Sequence, residues 1–195
     1  AGKKTVTQFD SVMNNDINRY PKKTYRLFFT SNHDENSWNG TELEKYGAAY
    51  KTFAVFTQTM YQSVPLIYSG QEVPNKKRLK FFVKDPIEWT GFSMAPFYKQ
   101  LLTLRRKNPA LATYAAYNRL KTSADENVFA YTRQNSTHRV TVILNMSNQP
   151  QQFTINDPFI YGNPLNVFLG KKEKLEEGHE FNLEPWGFIV YDHDR

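Results

Sequence analysis

Cysteine is absent from this chain of 195 residues, which excludes disulfides, thiolate metal sites and cysteine nucleophiles together and leaves the compartment open. Long apolar runs are absent too. The longest, Phe53-Ala54-Val55-Phe56 and residues 140–144, fall far short of the roughly 20 residues of a membrane-spanning helix. With a mean hydropathy of −0.66, the chain reads as lacking any membrane span. No hydrophobic stretch follows the charges of Ala1-Gly2-Lys3-Lys4, so this start reads as a fragment boundary rather than a secretory leader. Repeats and low-complexity segments are missing as well. What is present suits a folded protein: 39% hydrophobic and 23% charged residues are enough to bury a core.

The net charge of +6 raises the question of nucleic acid. A nucleic-acid binder concentrates its charge on one face. Here the densest basic stretch is Lys76-Lys77-Arg78-Leu79-Lys80, and residues 171–177 mix both signs, so solvated surface and no nucleic-acid partner are expected. The 15 Phe, 12 Tyr and 3 Trp are the less ordinary feature. Such rings fill cores and also stack on bases or sugars; composition leaves both uses open.

Two periodicities divide the chain. In residues 8–108, Phe9, Val12, Met13 and Ile17 recur at steps of three and four and predict a helix ending before Pro21. Tyr25-Arg26-Leu27-Phe28-Phe29-Thr30 reads as a strand buried on both faces. A second helix is predicted over 46–60, a strand over 64–68, and a third helix around Phe97, Leu101 and Leu104. That last helix has Pro96 in its first turn, Arg105, Arg106 and Lys107 in its last, and Pro109 as its stop. From about residue 112 the period becomes two. Strands are predicted over 127–133, 139–145, 152–155, 164–169, 180–183 and 187–191, separated by turn signals at sandwich-like spacing. Residues 1–111 and 112–195 are therefore expected as separate units, the second an antiparallel β domain. Two parallel strands would leave unpaired edges, so the first unit reads as the end of a longer fold.

Chemistry concentrates in Asn32-His33-Asp34-Glu35-Asn36, directly after the first strand. Two readings stay open on composition: a polar turn capping the next helix, or a loop on the catalytic face of an α/β barrel. His33, His138, His179 and His193 have no zinc-ligand spacing, and no dinucleotide, phosphate-loop or nucleophile-elbow motif occurs. No metal site is expected.

Phe28-Phe29-Thr30-Ser31-Asn32-His33-Asp34 resembles the last motif of the α-amylase family, glycoside hydrolase family 13. Three further segments agree in order. Residues 64–72 resemble the eighth barrel strand and its Gly70-Gln71-Glu72 turn, residues 97–111 the eighth helix, and residues 183–188 the closing strand of the family's C-terminal β domain.

The resemblance implies the last part of a (β/α)₈ TIM barrel, from about the sixth helix to the eighth, followed by an antiparallel β-sandwich. It implies a retaining glycosidase acting on α-glucans such as starch and maltooligosaccharides. Asp34 would stabilise the oxocarbenium-like transition state, and His33 would bind hydroxyls of the same sugar. Asn32 would hold the turn, and Gln71 and Glu72 would support the barrel mouth or border the cleft. Trp38 is the candidate for stacking on a sugar, while Trp186 is expected in the core.

The departure from the family pattern is large. The nucleophile and acid/base carboxylates of a retaining enzyme stand about 5–5.5 Å apart, and in the family both precede the segment present here. This polypeptide alone is therefore expected to be inactive. The family's structural calcium is likewise expected upstream, and no cofactor is expected. The alternative is a non-catalytic relative that binds carbohydrate or a partner. Exposed apolar faces of an incomplete barrel would favour self-association or disorder near the N-terminus. A secreted or periplasmic location would fit the family.

Overall fold

The computed structural model describes residues 4–193; the Ala1-Gly2-Lys3 start lies outside them. Helix α1, Val6–Arg19, opens with a reciprocal cap in which the Thr5 hydroxyl accepts from the Gln8 N–H and the Gln8 side chain accepts from the Thr5 N–H. The helix buries Val6 and Met13, with Phe9 and Ile17 packed beside them as the spacing predicts, whereas Val12 of the same predicted stripe faces solvent.

Strand β1, Arg26–Phe28, runs parallel to β2, Ser63–Pro65, with Leu27 opposite Val64. The expectation that β1 is buried on both faces does not hold. Phe28 turns toward the core, but Leu27 is 60% exposed and Val64 41%. A two-stranded sheet has one face to spare, and no described element covers it. The helix expected over 46–60 is also divided. Gly47, at φ +53, ends α2, Glu42–Tyr46, and a 3₁₀ turn, Gly47–Ala49, leads into α3, Tyr50–Thr59. A side chain would be strained at that φ, which is why the break falls on a glycine. Helix α4, Ala95–Lys107, has the predicted Pro in its first turn and three cations in its last.

The rest of the chain is antiparallel. Six strands form one sheet in the order β3-β4-β5-β10-β7-β8: Ala116–Leu120, Val128–Gln134, Arg139–Asn145, Phe188–His193, Leu165–Asn166 and Lys171–Lys172. A second sheet pairs β6, Gln151–Thr154, with β9, Glu180–Leu183. Periodicity misses β3 and β8 and overextends β7, whose chain turns away after Asn166.

Alternation along the strands feeds two cores. Phe129, Tyr131, Val140, Val142 and Leu144 point to one face of the six-stranded sheet and pack against Val55, Phe56, Leu101 and Met13 of the helices. Val128, Ala130 and Ile143 point to the other face and meet Phe153, Ile155, Phe181 and Leu183. The helices, the large sheet and the small sheet thus make three layers, and the first core spans both periodicity regimes.

Buried Arg133 ties these regimes together. Its guanidinium donates to the carbonyls of Thr59 at 2.7 Å, Ala112 at 2.7 Å and Ala115 at 3.1 Å. Burial pulls its pKa down to about 10. Trp186 departs from its expected core position. It occupies a turn before β10 at φ +58 and is only partly buried, because its main chain bridges Ser147 and the Thr52 hydroxyl.

Candidate active site

After β1 the chain anchors itself before it exposes anything. Thr30 and Ser31 are buried. The Asn32 side chain then accepts from the Glu35 N–H at 2.8 Å, closing the turn from which a π-helical segment, Glu35–Asn39, begins. This is the turn-holding role expected of Asn32. His33 and Asp34 stand on the outer side of that turn, with side chains 67% and 58% exposed. His33 Nε2 lies 3.6 Å from Asp34 Oδ2, too far for a hydrogen bond.

The neighbouring carboxylate has a different fate. Glu35 pairs with Lys45 and accepts from the Asn39 amide at 3.2 Å. Hydrogen bonding to Lys45 holds its carboxyl below the usual range despite some burial. Of the two adjacent acids, Glu35 is occupied in holding the turn. Asp34 has no hydrogen-bond partner among the described residues, so it is available to a ligand.

Beneath the turn lies a buried polar network. The Gln71 amide nitrogen is within hydrogen-bond reach of the Thr30 hydroxyl (2.8 Å), the Glu42 carboxylate (2.6 Å) and the Tyr98 phenol (3.1 Å). The Gln71 oxygen accepts from the Tyr68 N–H at 2.6 Å. Burial pushes the Glu42 carboxyl up, against the opposing pull of its hydrogen bonds to Thr30 and Gln71. The network ties the segments following β1 and β2 to α2 and α4. Of the two roles left open for Gln71, the geometry matches support. Gly70 makes this turn possible: it sits at φ +97, and an added Cβ would come within 3.0 Å of the Asn75 Cβ.

Next to His33 lies a strip of exposed rings of which sequence reasoning singled out Trp38 but not Phe81 or Phe82. Phe81 stacks on the His33 ring with centroids 5.7 Å apart. Trp38 lies 5.5 Å from Phe81 and 6.2 Å from Phe82. Phe82 is 84% exposed and Trp38 59%. The strip is held from below. Buried Asn36 accepts from the Leu79 N–H at 2.8 Å and donates to the Lys77 carbonyl at 3.3 Å. Lys77 pairs with Asp85, and Arg78 pairs with Glu44 at 2.9 Å. The available signal was an apolar Phe81-Phe82-Val83 triplet between lysines in a stretch without helix or strand period. Such a triplet has no face to bury.

Among the described residues, no group of three or more histidines and acids could hold a metal ion, and no helix is long and apolar enough to cross a membrane. His138, His179 and His193 lie outside the turn. His193 is buried against the Thr141 hydroxyl at 2.8 Å.

Comparison with known proteins covers both parts of the chain. Residues 118–190 match the family model of the maltogenic amylase C-terminal domain. A cyclomaltodextrinase of Thermoanaerobacter pseudethanolicus is 24% identical over 188 residues, covering 93% of this chain and 31% of that protein. A noncanonic maltogenic α-amylase from Thermotoga neapolitana superposes with a TM-score of 0.77 at 17% identity, covering 99% of this chain and 47% of that one. An α-amylase from Lactobacillus plantarum gives 0.77 at 16% identity, covering 96% and 43%. The chain therefore spans about a third of the curated relative and less than half of these solved structures. Together with the motif order, these matches make the chain similar to the C-terminal portion of α-amylase family proteins, with residues 118–190 resembling the maltogenic amylase C-terminal domain.

Proposed function

We propose that the chain belongs to a retaining α-glucan glycoside hydrolase of the α-amylase type, in which Asp34 stabilises the transition state and His33 and Trp38 bind substrate. In this reading residues 1–111 are the last part of the catalytic (β/α)₈ barrel and residues 112–195 the β-sandwich domain that follows it. The observation that carries the proposal is that Asp34 and His33 stand exposed side by side after β1, while neighbouring Glu35 is spent on Lys45.

The chemistry follows from charge and shape. An oxocarbenium-like centre carries positive charge that the ground state lacks. A carboxylate about 4 Å away attracts such a charge by about 4 kcal/mol at an effective dielectric of 20, equivalent to roughly 10³ in rate. The His33 ring can donate to hydroxyls of the same sugar and fix its position. The strip of Trp38, Phe81 and Phe82 offers flat apolar faces on which the C–H faces of glucose units can rest.

The nucleophile and acid/base come from the preceding part of the parent protein. This polypeptide alone hydrolyses nothing, since a positioned acid by itself contributes roughly 10²–10⁴-fold. The partner is an α-glucan. No metal or cofactor is assigned to these residues.

The test is kinetic. In the full-length parent, Asp34→Asn should lower kcat by roughly 10²–10³-fold, the scale seen when one transition-state electrostatic contact is removed, with a smaller change in KM. A loss below tenfold removes Asp34 from the reaction. Reducing-sugar release from soluble starch by the 195-residue chain alone would overturn its assigned inactivity.

A further inference from the structure

The large sheet carries a second candidate site, away from the segment that holds His33 and Asp34. On one face of β3 and β4, Leu120, Val128 and Ala130 are buried beneath the small sheet. Farther along the same face the second layer stops, and the residues change character. Ala116, Asn118, Thr132 and Gln134 form a floor in register, Asn118 opposite Thr132 and Ala116 opposite Gln134. The segment 156–159 stands along this floor as a wall and encloses a cavity of about 740 Å³, within the usual range for small-ligand sites.

The lining is specific in its chemistry. Asn118, Thr132 and Asn156 have no side-chain hydrogen-bond partner among the described residues. The wall is braced: Asp157 Oδ1 accepts from the Phe159 N–H at 2.9 Å and caps a 3₁₀ turn, Pro158–Ile160. Phe159 is half exposed in the groove, and the Arg139 guanidinium lies 4.9 Å from its ring centroid. Arg139 also donates to the Phe159 carbonyl and does not line the cavity.

We propose that this groove binds a segment of a neutral α-1,4-linked glucan, as a non-catalytic sugar site on the β domain. Uncharged amides and a hydroxyl beside one exposed ring match the alternating hydroxyl edges and C–H faces of a sugar chain. An anionic ligand would meet Asp157 as the only charge in the lining. A purely apolar ligand would bury the exposed Asn118 and Asn156 without partners, at a cost. The choice of an α-glucan over other neutral sugars rests on the function proposed above.

The probe is maltoheptaose titrated into the isotope-labelled 195-residue chain, followed by amide NMR, with cellohexaose as the β-linked control. Maltoheptaose should shift resonances of 116–118, 132–134 and 156–159. Phe159→Ala should weaken that binding by about tenfold, the scale of one lost stacking contact, and Asn118→Ala by a smaller factor. Trp38→Ala and Phe82→Ala should leave it unchanged. Because Phe159 and Asn118 are exposed, their variants should keep the wild-type spectrum elsewhere.

Shifts confined to 33–38 and 81–82 would overturn the groove and leave the Asp34 reading standing. Equal binding of cellohexaose would overturn the α-glucan assignment, as would absence of shifts at millimolar maltoheptaose. Groove binding with an unaffected Asp34→Asn parent would sink the catalytic reading alone.

Discussion

Phe129, Tyr131 and Tyr191 on the large sheet are almost fully buried, whereas Tyr25, Trp38 and Phe82 in the first hundred residues are 65%, 59% and 84% exposed. All six are aromatic, and their environments are opposite. A six-stranded sheet with helices on one face and a second sheet on the other gives a ring two dry sides to choose from. A two-stranded sheet gives it one, which Phe28 takes, and an irregular loop gives it none. Aromatic content by itself therefore carries no functional information here; which rings are left outside does.

The largest expected effect tests that contrast directly. Phe129 packs edge-on to Phe9 at 5.2 Å and tilted against Tyr131 at 5.4 Å, under the Arg119 guanidinium at 4.8 Å. Phe129→Ala should destabilise the chain by about 3–5 kcal/mol. Phe82→Ala should stay within about 0.5 kcal/mol, as for other surface changes. Urea unfolding of both variants measures the difference. Similar losses in the two would break the comparison.

The two regions should also respond to pH with opposite sign. Burial, reinforced by the charge of Arg139, lowers the His193 pKa to about 4. The unfolded chain takes up that proton first, near pH 6.5. Stability from neutral His193 is thus present above about 6.5 and lost as pH falls toward 4, at about 1.4 kcal/mol per unit and roughly 2–3 kcal/mol in all. Glu42 behaves conversely. Burial raises its pKa, so its contribution is fully present below the ordinary glutamate value and is lost as pH rises through the raised one. His193→Gln should flatten the acid side of the stability profile, and Glu42→Gln the alkaline side. A profile unchanged by either substitution would remove that group from the account.

How far the sequence speaks follows the same division. The antiparallel strands were legible because successive side chains point to opposite faces, so large apolar residues recur at every second position toward the helix-side core. β4 and β5 therefore appear nearly residue for residue, and Val140, Val142 and Leu144 land on one face. β3 was missed because its outward positions, Ala116 and Asn118, end in a groove rather than under a second layer, so no hydrophobic alternation marks them. The break at Gly47 depends on one φ angle inside a continuous helical pattern. In the candidate site, His33 and Asp34 were legible only through a resemblance of motif. The network of Thr30, Glu42, Gln71 and Tyr98 joins residues up to 68 positions apart in sequence that no local period connects. Phe81 and Phe82 give the reverse lesson: a short apolar triplet with no period is a surface ring until shown otherwise.

The smallest effect on stability addresses the open face of β1 and β2. Leu27 and Val64 are register partners and both exposed, and Tyr25 stands one alternation away at 65%. Contiguous apolar faces of this kind on monomers mark interaction surfaces. If the face is solvated in the isolated chain, Leu27→Ser removes little burial and should change unfolding stability by less than about 0.5 kcal/mol. It should nonetheless change association. Sedimentation of the wild-type chain should show mass rising with concentration, and Leu27→Ser should return it toward the monomer. A side chain that barely alters folding yet controls self-association is spent on the outside of the molecule. A Leu27→Ser variant that unfolds readily would mean instead that β1 is held by its own apolar face, and the contrast with the large sheet would then be one of degree.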